Sequence, residues 1–274
     1  MMDKKRTKSK RIIMKALIGL LCCTLMCAVA SIACIAHIIS TADRINTEDI
    51  YSQIYCTSSA YPVNTRIIKV EDIPHNMKDA VVAIEDKTFY KHHGFNTKRM
   101  IGAVFEKVIG ESDSISGTST ITQQLARNVY LSDIRSERSI RRKVTEMYYA
   151  WQLEHNLTKD EILEAYLNTI YFGYGYYGID AAANGYFSSS VSDLTLTQCA
   201  ALAALPAAPD AYALIKDEDG EHCTKIEGTD LYANDITRNR RELVLDLMAE
   251  QGYISQNNAD DAKVTIDTVI KPNK

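Results

Sequence analysis

Two carboxylates in this 274-residue chain sit among residue types that can move a proton and hold an anion. Glu85, in the run Glu85-Asp86-Lys87-Thr88-Phe89-Tyr90-Lys91-His92-His93-Gly94, is placed to accept a proton from an attacking hydroxyl, provided its surroundings raise its pKa modestly. Glu146 follows Arg142 by four residues and Lys143 by three, so all three share one helix face. The bland alternatives are a solvated Glu-Asp helix end and ordinary i,i+3 and i,i+4 ion pairs worth about 0.2 to 0.5 kcal/mol each. Between them lies the hydroxyl-rich run Gly117-Thr118-Ser119-Thr120-Ile121-Thr122-Gln123-Gln124-Leu125-Ala126-Arg127-Asn128. Free amides and the positive dipole end at a helix start favour an anion there; capping explains one hydroxyl, and the surplus points to phosphate or sugar contacts.

The elements that must position these groups read as helices. Met77, Val81 and Ile84 recur at helical spacing after Pro74, which suits a first turn, so a helix delivers Glu85 at its C-terminal end. Thr120 with Gln123, Thr158 with Glu161 and Thr195 with Gln198 fit the capping box. Apolar stripes run through Ile140, Val144, Met147 and Trp151, then through Ile162, Tyr166 and Ile170. Pro206 closes the helix that starts near Thr195, acidic residues 217–230 form a surface insertion, and a helix follows around Arg238 to Gln251. Alternating strand-like runs are scarce, so the fold class is all-α or mainly α.

Basic residues Lys4, Lys5, Arg6, Lys8, Lys10, Arg11 and Lys15 precede an uncharged run from Ala16 to Ala36, whose helix would span roughly 30 Å. The division that follows is a basic cytoplasmic tail over 1–11, a single transmembrane anchor over 12–39, a stem that lifts the domain off the membrane over 40–70, and a folded domain over 71–274 outside the cytoplasm. A cleaved signal peptide, with Ala28-Val29-Ala30 as its site, is the alternative; its apolar region is usually shorter than this run. Lipidation at Cys34 is a weaker one. A net charge of −4 gives no bulk pull toward nucleic acid. Cys22, Cys23, Cys27 and Cys34 lie in the apolar run, and Cys56, Cys199 and Cys223 indicate neither a disulfide framework nor a zinc site.

Together, the Glu85 and Ser119 segments resemble the first two signature motifs of family-51 glycosyltransferases, which polymerise lipid II into peptidoglycan strands. Arg142-Lys143-Val144-Thr145-Glu146 is similar to the third motif. Lys159-Asp160-Glu161-Ile162-Leu163-Glu164-Ala165-Tyr166-Leu167-Asn168, running into Gly173, Gly175 and Gly178, is similar to the fourth. The likeness covers roughly residues 71 to 255.

It implies a lysozyme-like, two-lobed transglycosylase domain and a membrane-bound inverting glycosyltransferase. Lipid II and a growing lipid-linked glycan strand are the implied substrates, cell-wall synthesis proteins the implied partners, and a β-1,4 linkage with release of lipid diphosphate the implied outcome. Glu85 is then the general base and Glu146 the second catalytic carboxylate. Phe89, His92, Ser119, Thr120, Gln123, Gln124, Arg127, Asn128, Arg142 and Lys143 are the implied substrate-binding residues. For His92 a structural hydrogen bond to the turn backbone is preferred over a ligand contact, and for Tyr166 core packing over chemistry. One of Gln123 and Gln124 would face ligand while the other supports the cap.

Arg127 stands where the family usually has lysine, which alters the geometry with which phosphate is held. Glu146 either positions a divalent cation, Mg2+ or Mn2+, or orients the cations directly; no organic cofactor is expected. Tyr174, Tyr176 and Tyr177 are placed to stack on sugar rings, or the glycines simply serve a tight turn. Met100 to Val108 with Gly110 to Ser116 is either a segment near the substrate's lipid tail or a core helix and loop. No Ser-x-x-Lys or Lys-Thr-Gly occurs, so the chain reads as monofunctional. A lysozyme-like hydrolase of glycan strands and a non-catalytic cell-wall scaffold are the rival functions.

Overall fold

The computed structural model describes residues 21, 23–56, 66–102, 119–212, 223–225 and 232–264. Residues 1–20, the segment 103–118 with Gly110 to Ser116, and the side chains of Cys56 and Cys223 lie outside that description. Helix α1, Cys23–Ser40, is long and apolar enough to cross a membrane and carries exposed Leu25, Val29 and Ile32. After it come α2 (Ile50–Cys56), α3 (His75–Glu85), a helical turn over 97–102, α4 (Ile121–Tyr130), α5 (Ile140–Asn156), α6 (Lys159–Thr169), α7 (Ile179–Phe187), α8 (Leu196–Ala204) and α9 (Pro209–Tyr212). A small antiparallel hairpin, β1 (Cys223–Lys225) with β2 (Tyr232–Asn234), precedes α10 (Asp235–Glu250) and α11 (Gln256–Val264). The chain is mainly helical, as its patterning predicts.

Local chemistry sets most of the helix starts. All three expected capping boxes form, at Thr120, Thr158 and Thr195, each with its glutamine or glutamate reaching back to the cap backbone. Pro74 stands one residue earlier than expected, as the extended N-cap of α3. The helices sort into two packing sets, α3 with α8 and α10, and α4 with α5 and α6, which share one continuous apolar core. Ile162, Tyr166 and Ile170 lie in that core as their spacing predicts.

Two expectations are corrected. The stripe through Ile140, Val144, Met147 and Trp151 does not face the core: Ile140 is 80% and Trp151 49% exposed, while Glu146, Tyr149, Ala150 and Leu153 turn inward. The described parts of 40–70 are not a free stem either. Ile45, Ile50, Ile54 and Ile68 are buried in the core, and the Ile45 amide donates to Gln152 Oε1 at 3.0 Å.

The fourth motif fastens this segment to the domain. Asn168 Oδ1 accepts from the Ile68 amide and its Nδ2 donates to the Ile68 carbonyl, both at 2.8 Å. Glu164 accepts from the Val70 amide at 3.0 Å and pairs with Lys69 at 3.1 Å. Asn168→Ala strands a buried donor and acceptor, and should cost on the order of 3 kcal/mol in urea unfolding. A loss within experimental error would mean that the 66–70 segment is not held by this clamp.

Candidate active site

The site begins where α3 stops. Glu85 is its last residue, and the next, Asp86, is 1% exposed and turns its carboxylate toward the start of α4. Asp86 Oδ2 lies 2.8 Å from His92 Nε2 and accepts from the Ile121 amide at 3.2 Å. A carboxylate at the positive end of a helix is favourable, and here it is the protein's own. Gly94 completes the turn with φ +92°, its carbonyl accepting from Thr120 Oγ1 at 2.6 Å. A Cβ at Gly94 would lie 3.0 Å from the Ala150 carbonyl oxygen, so the position needs both the positive φ and the absent side chain.

This arrangement sorts the hydroxyl-rich run. Thr120 and Gln123 are fully buried and joined in the cap, Thr122 Oγ1 donates to Glu154 Oε1 at 2.6 Å, and Ser119 Oγ accepts from Lys143 Nζ at 3.0 Å. Ser119 alone of the three hydroxyls turns toward the cations. Phe89 is also fully buried, under the Lys159 ammonium, and His92 is 9% exposed against Asp86. The turn thus takes Phe89, His92, Thr120 and Gln123 inward as its scaffold. The partner of His92 is a carboxylate, not the turn backbone.

Gln124 is the glutamine that faces outward. Its Nε2 donates to Glu85 Oε2 at 2.8 Å while its Oε1 accepts from the Tyr166 hydroxyl at 3.0 Å. Tyr166 is core, as expected, but its hydroxyl also fixes which end of the Gln124 amide meets Glu85. Burial pushes the Glu85 carboxyl above the usual carboxylate range, against the lowering effects of the Gln124 hydrogen bond and of Arg240, Arg127 and Arg99. Arg240 Nη2, on α10, lies 3.6 Å from Glu85 Oε1.

One turn along α4, Arg127 leads to a second centre. Glu146 is fully buried, bonded by Arg142 Nη1 at 2.6 Å and by Lys143 Nζ, with Arg127 Nη1 at 3.9 Å. Among the described residues, three cations surround this one carboxylate, which leaves two positive charges uncompensated there. Burial lowers the Lys143 ammonium, opposed by Glu146. Among the described residues no group of three or more His, Cys, Asp or Glu side chains is placed to hold a metal ion. Glu146 is ringed by cations with no second anionic donor beside it among the described residues, a set that does not fit a resident divalent ion.

A cleft of about 580 Å³ opens beside both centres, lined by Gln124, Arg127, Asn128, Arg135, Tyr171 and Tyr177 among others. Gly173, Gly175 and Gly178 all have positive φ, as a tight turn requires, and the rings of Tyr171 and Tyr177 meet at 4.7 Å. Tyr176 instead packs edge-on against Tyr186.

Residues 52–249 match the family described as Transglycosylase, well over half of the chain. The chain belongs to the transglycosylase family. It is 44% identical over 205 residues to penicillin-binding protein 1A of Clostridium perfringens, covering 74% of this chain and 28% of that protein. It is 36% identical to penicillin-binding protein 1A of Clostridium botulinum, covering 97% of this chain and 32% of the relative. The crystal structure of penicillin-binding protein 1A from Haemophilus influenzae aligns at 23% identity with a TM-score of 0.40, over 76% of this chain and 19% of the other. The chain therefore spans less than a third of the length of the relatives it matches.

Sequence reasoning about this transglycosylase-family chain missed Asp86 as the link between turn and helix, Arg240 beside Glu85, and the cleft residues Arg135 and Asp210. Asp86 was within reach, being the neighbour of Glu85 inside the same motif. Arg240 carried no local signal, because its partner lies on a helix far back in the chain.

The raised Glu85 carboxyl has a stability consequence. From the ordinary carboxylate value upward, the unfolded chain has released a proton that the folded chain still holds, so stability falls as pH rises through that window and stays reduced above it. Glu85→Gln removes the charge that burial penalises. Its melting temperature should exceed the parent's at neutral pH, with the gain shrinking as pH falls toward the ordinary carboxylate value of about 4.3 and absent below it. A Tm difference that does not change with pH would show that burial does not disfavour the charged Glu85.

Proposed function

We propose that this chain is a peptidoglycan glycosyltransferase that polymerises lipid II. The observation that carries the reading is the pairing of two unlike carboxylate centres along one face of α4: Glu85 at Gln124, largely buried with one hydrogen bond, and Glu146 beyond Arg127, enclosed by cations. In this reading Glu85 takes the proton of the acceptor's sugar hydroxyl as its oxygen attacks the donor's anomeric carbon. The bond to the lipid diphosphate breaks, and a β-1,4 linkage forms with inversion. Arg127, Arg142 and Lys143 receive the diphosphate as its charge develops. Glu146 orients those cations directly, and Ser119 steadies Lys143.

The membrane helix fits a lipid-linked substrate. The basic residues before it support a cytoplasmic N-terminus and an outer helical domain, with α1 as the anchor. Protease added to wall-free cells should then digest the domain; protection until lysis contradicts this orientation. Cell-wall synthesis proteins are the expected neighbours.

A lysozyme-like hydrolase would also use two carboxylates, but cleavage of a finished strand develops no diphosphate charge for the Glu146 cluster to meet. Incubating the purified chain with lipid II, and separately with preformed glycan strands, decides the matter. Polymer with release of lipid diphosphate is expected; cleavage of preformed strands without polymer supports the hydrolase, and neither outcome supports a scaffold.

Within the polymerase reading, Arg127→Lys should keep much of the activity, since the charge toward Glu146 and the diphosphate remains. Arg127→Ala should lose a charge-assisted contact worth about 1.5 to 3 kcal/mol in kcat/KM. Equal activity of the alanine variant and the parent would make Arg127 a solvated surface residue.

A further inference from the structure

Arg240 is held on three sides, two that anchor it and one that faces Glu85. Its Nε donates to the carbonyl of Ala204, the last residue of α8, at 2.8 Å. Its guanidinium lies 5.1 Å from the centroid of the Tyr212 ring. Its Nη2 stands 3.6 Å from Glu85 Oε1, beyond hydrogen-bond reach but close enough for a strong charge interaction in a largely buried place. That oxygen is buried and makes no hydrogen bond among the described residues, whereas Oε2 is engaged by Gln124.

We infer that Arg240 is a positioning residue for the base: anchored by Ala204 and Tyr212, it faces the Oε1 edge of Glu85 and keeps the carboxylate ionised and in one orientation. The inference rests on the assignment of Glu85 as general base. Among the described residues, the polar and charged groups that act on Glu85 are Gln124 and Arg127 on α4, Arg240 on α10, Arg99 on the helical turn over 97–102, and the Tyr166 hydroxyl on α6. Tyr166 is itself pushed up by burial and then by Glu85, so it stays neutral. Among the described cations, Arg240 alone comes within ion-pair distance of Glu85, because Arg127 is drawn toward Glu146.

Guanidinium geometry suits this task. One nitrogen is spent on the Ala204 carbonyl while another presents charge to Glu85; a lysine would keep the charge toward Glu85 and give up the Ala204 anchor. Without Arg240, burial would act on Glu85 with less opposition, and at any given pH more of the enzyme would carry a protonated, inactive base.

The experiment compares the full chain with Arg240→Lys and Arg240→Met in two ways. The first is the acid limb of kcat/KM for lipid II polymerisation. The second is the pH titration of the Glu85 side-chain carboxyl followed by carbon-13 NMR, its signal identified by loss in Glu85→Gln. In Arg240→Met both should move to higher pH by about one unit or more, roughly a tenfold loss of kcat/KM on the acid limb. Arg240→Lys, which keeps the charge, should stay within half a unit or so of the parent. An Arg240→Met protein that is less stable but has an unmoved acid limb and titration would overturn the inference, leaving Arg240 as a fastener between α10 and α8. If the parent does not polymerise lipid II, the glycosyltransferase reading falls, and the carboxyl titration still decides whether Arg240 governs Glu85.

Discussion

A single buried carboxylate, that of Asp86, ties the end of α3 that carries Glu85 to the start of α4. Its bonds to the His92 ring and the Ile121 amide fix the turn that follows Glu85 against the helix that carries Gln124 and Arg127. Everything nearby inherits that constraint. Because Glu85 is the residue before Asp86, its side chain can meet only the face of α4 that the turn presents. Because Arg127 is three residues beyond Gln124, the Glu146 cluster must lie one turn further along. Substituting Asp86 would release a buried histidine and a helix amide at once, each short of its partner.

The two carboxylates beyond that link have opposite surroundings. Glu85 receives one hydrogen bond and faces a guanidinium at 3.6 Å, not enough to offset its burial, so its carboxyl is raised. A base needs that balance: it must be able to lose its proton and still want it back. Glu146 has direct bonds from two cations and a third nearby, and its charge is spent on arranging them. Such a cluster tolerates an incoming dianion better than it tolerates its own exposed surplus, which is the electrostatic argument for a diphosphate between Arg127, Arg142 and Lys143.

What the sequence discloses follows the range of the forces involved. Capping boxes at Thr120, Thr158 and Thr195 depend on neighbours three residues away, and all three form. The same is true of Glu85 at a helix end and of Glu146 with Arg142 and Lys143. Helix phase was harder. On α5 the Ile140–Trp151 stripe has the right period, yet the ion cluster claims the inner face and turns Ile140 and Trp151 outward. Thr122 and Phe89 look like ligand groups by type, but Glu154 and the core absorb them. The segment after α1 looks like a polar stem because its anchors, Gln152, Glu164 and Asn168, lie about a hundred residues ahead. Arg240 and Glu85 are a pair only once α10 packs on α3.

The central claim is a division of labour, with Glu85 moving the proton and the Glu146 cluster holding the diphosphate. It is tested most directly by measuring equilibrium binding of lipid II and single-turnover bond formation separately, in Glu85→Gln and in Lys143→Ala. The account predicts that Glu85→Gln binds lipid II about as the parent does and forms almost no glycosidic bond, whereas Lys143→Ala loses affinity roughly tenfold or more. Bond formation by Glu85→Gln at near the parent rate, or undiminished binding by Lys143→Ala, would contradict it.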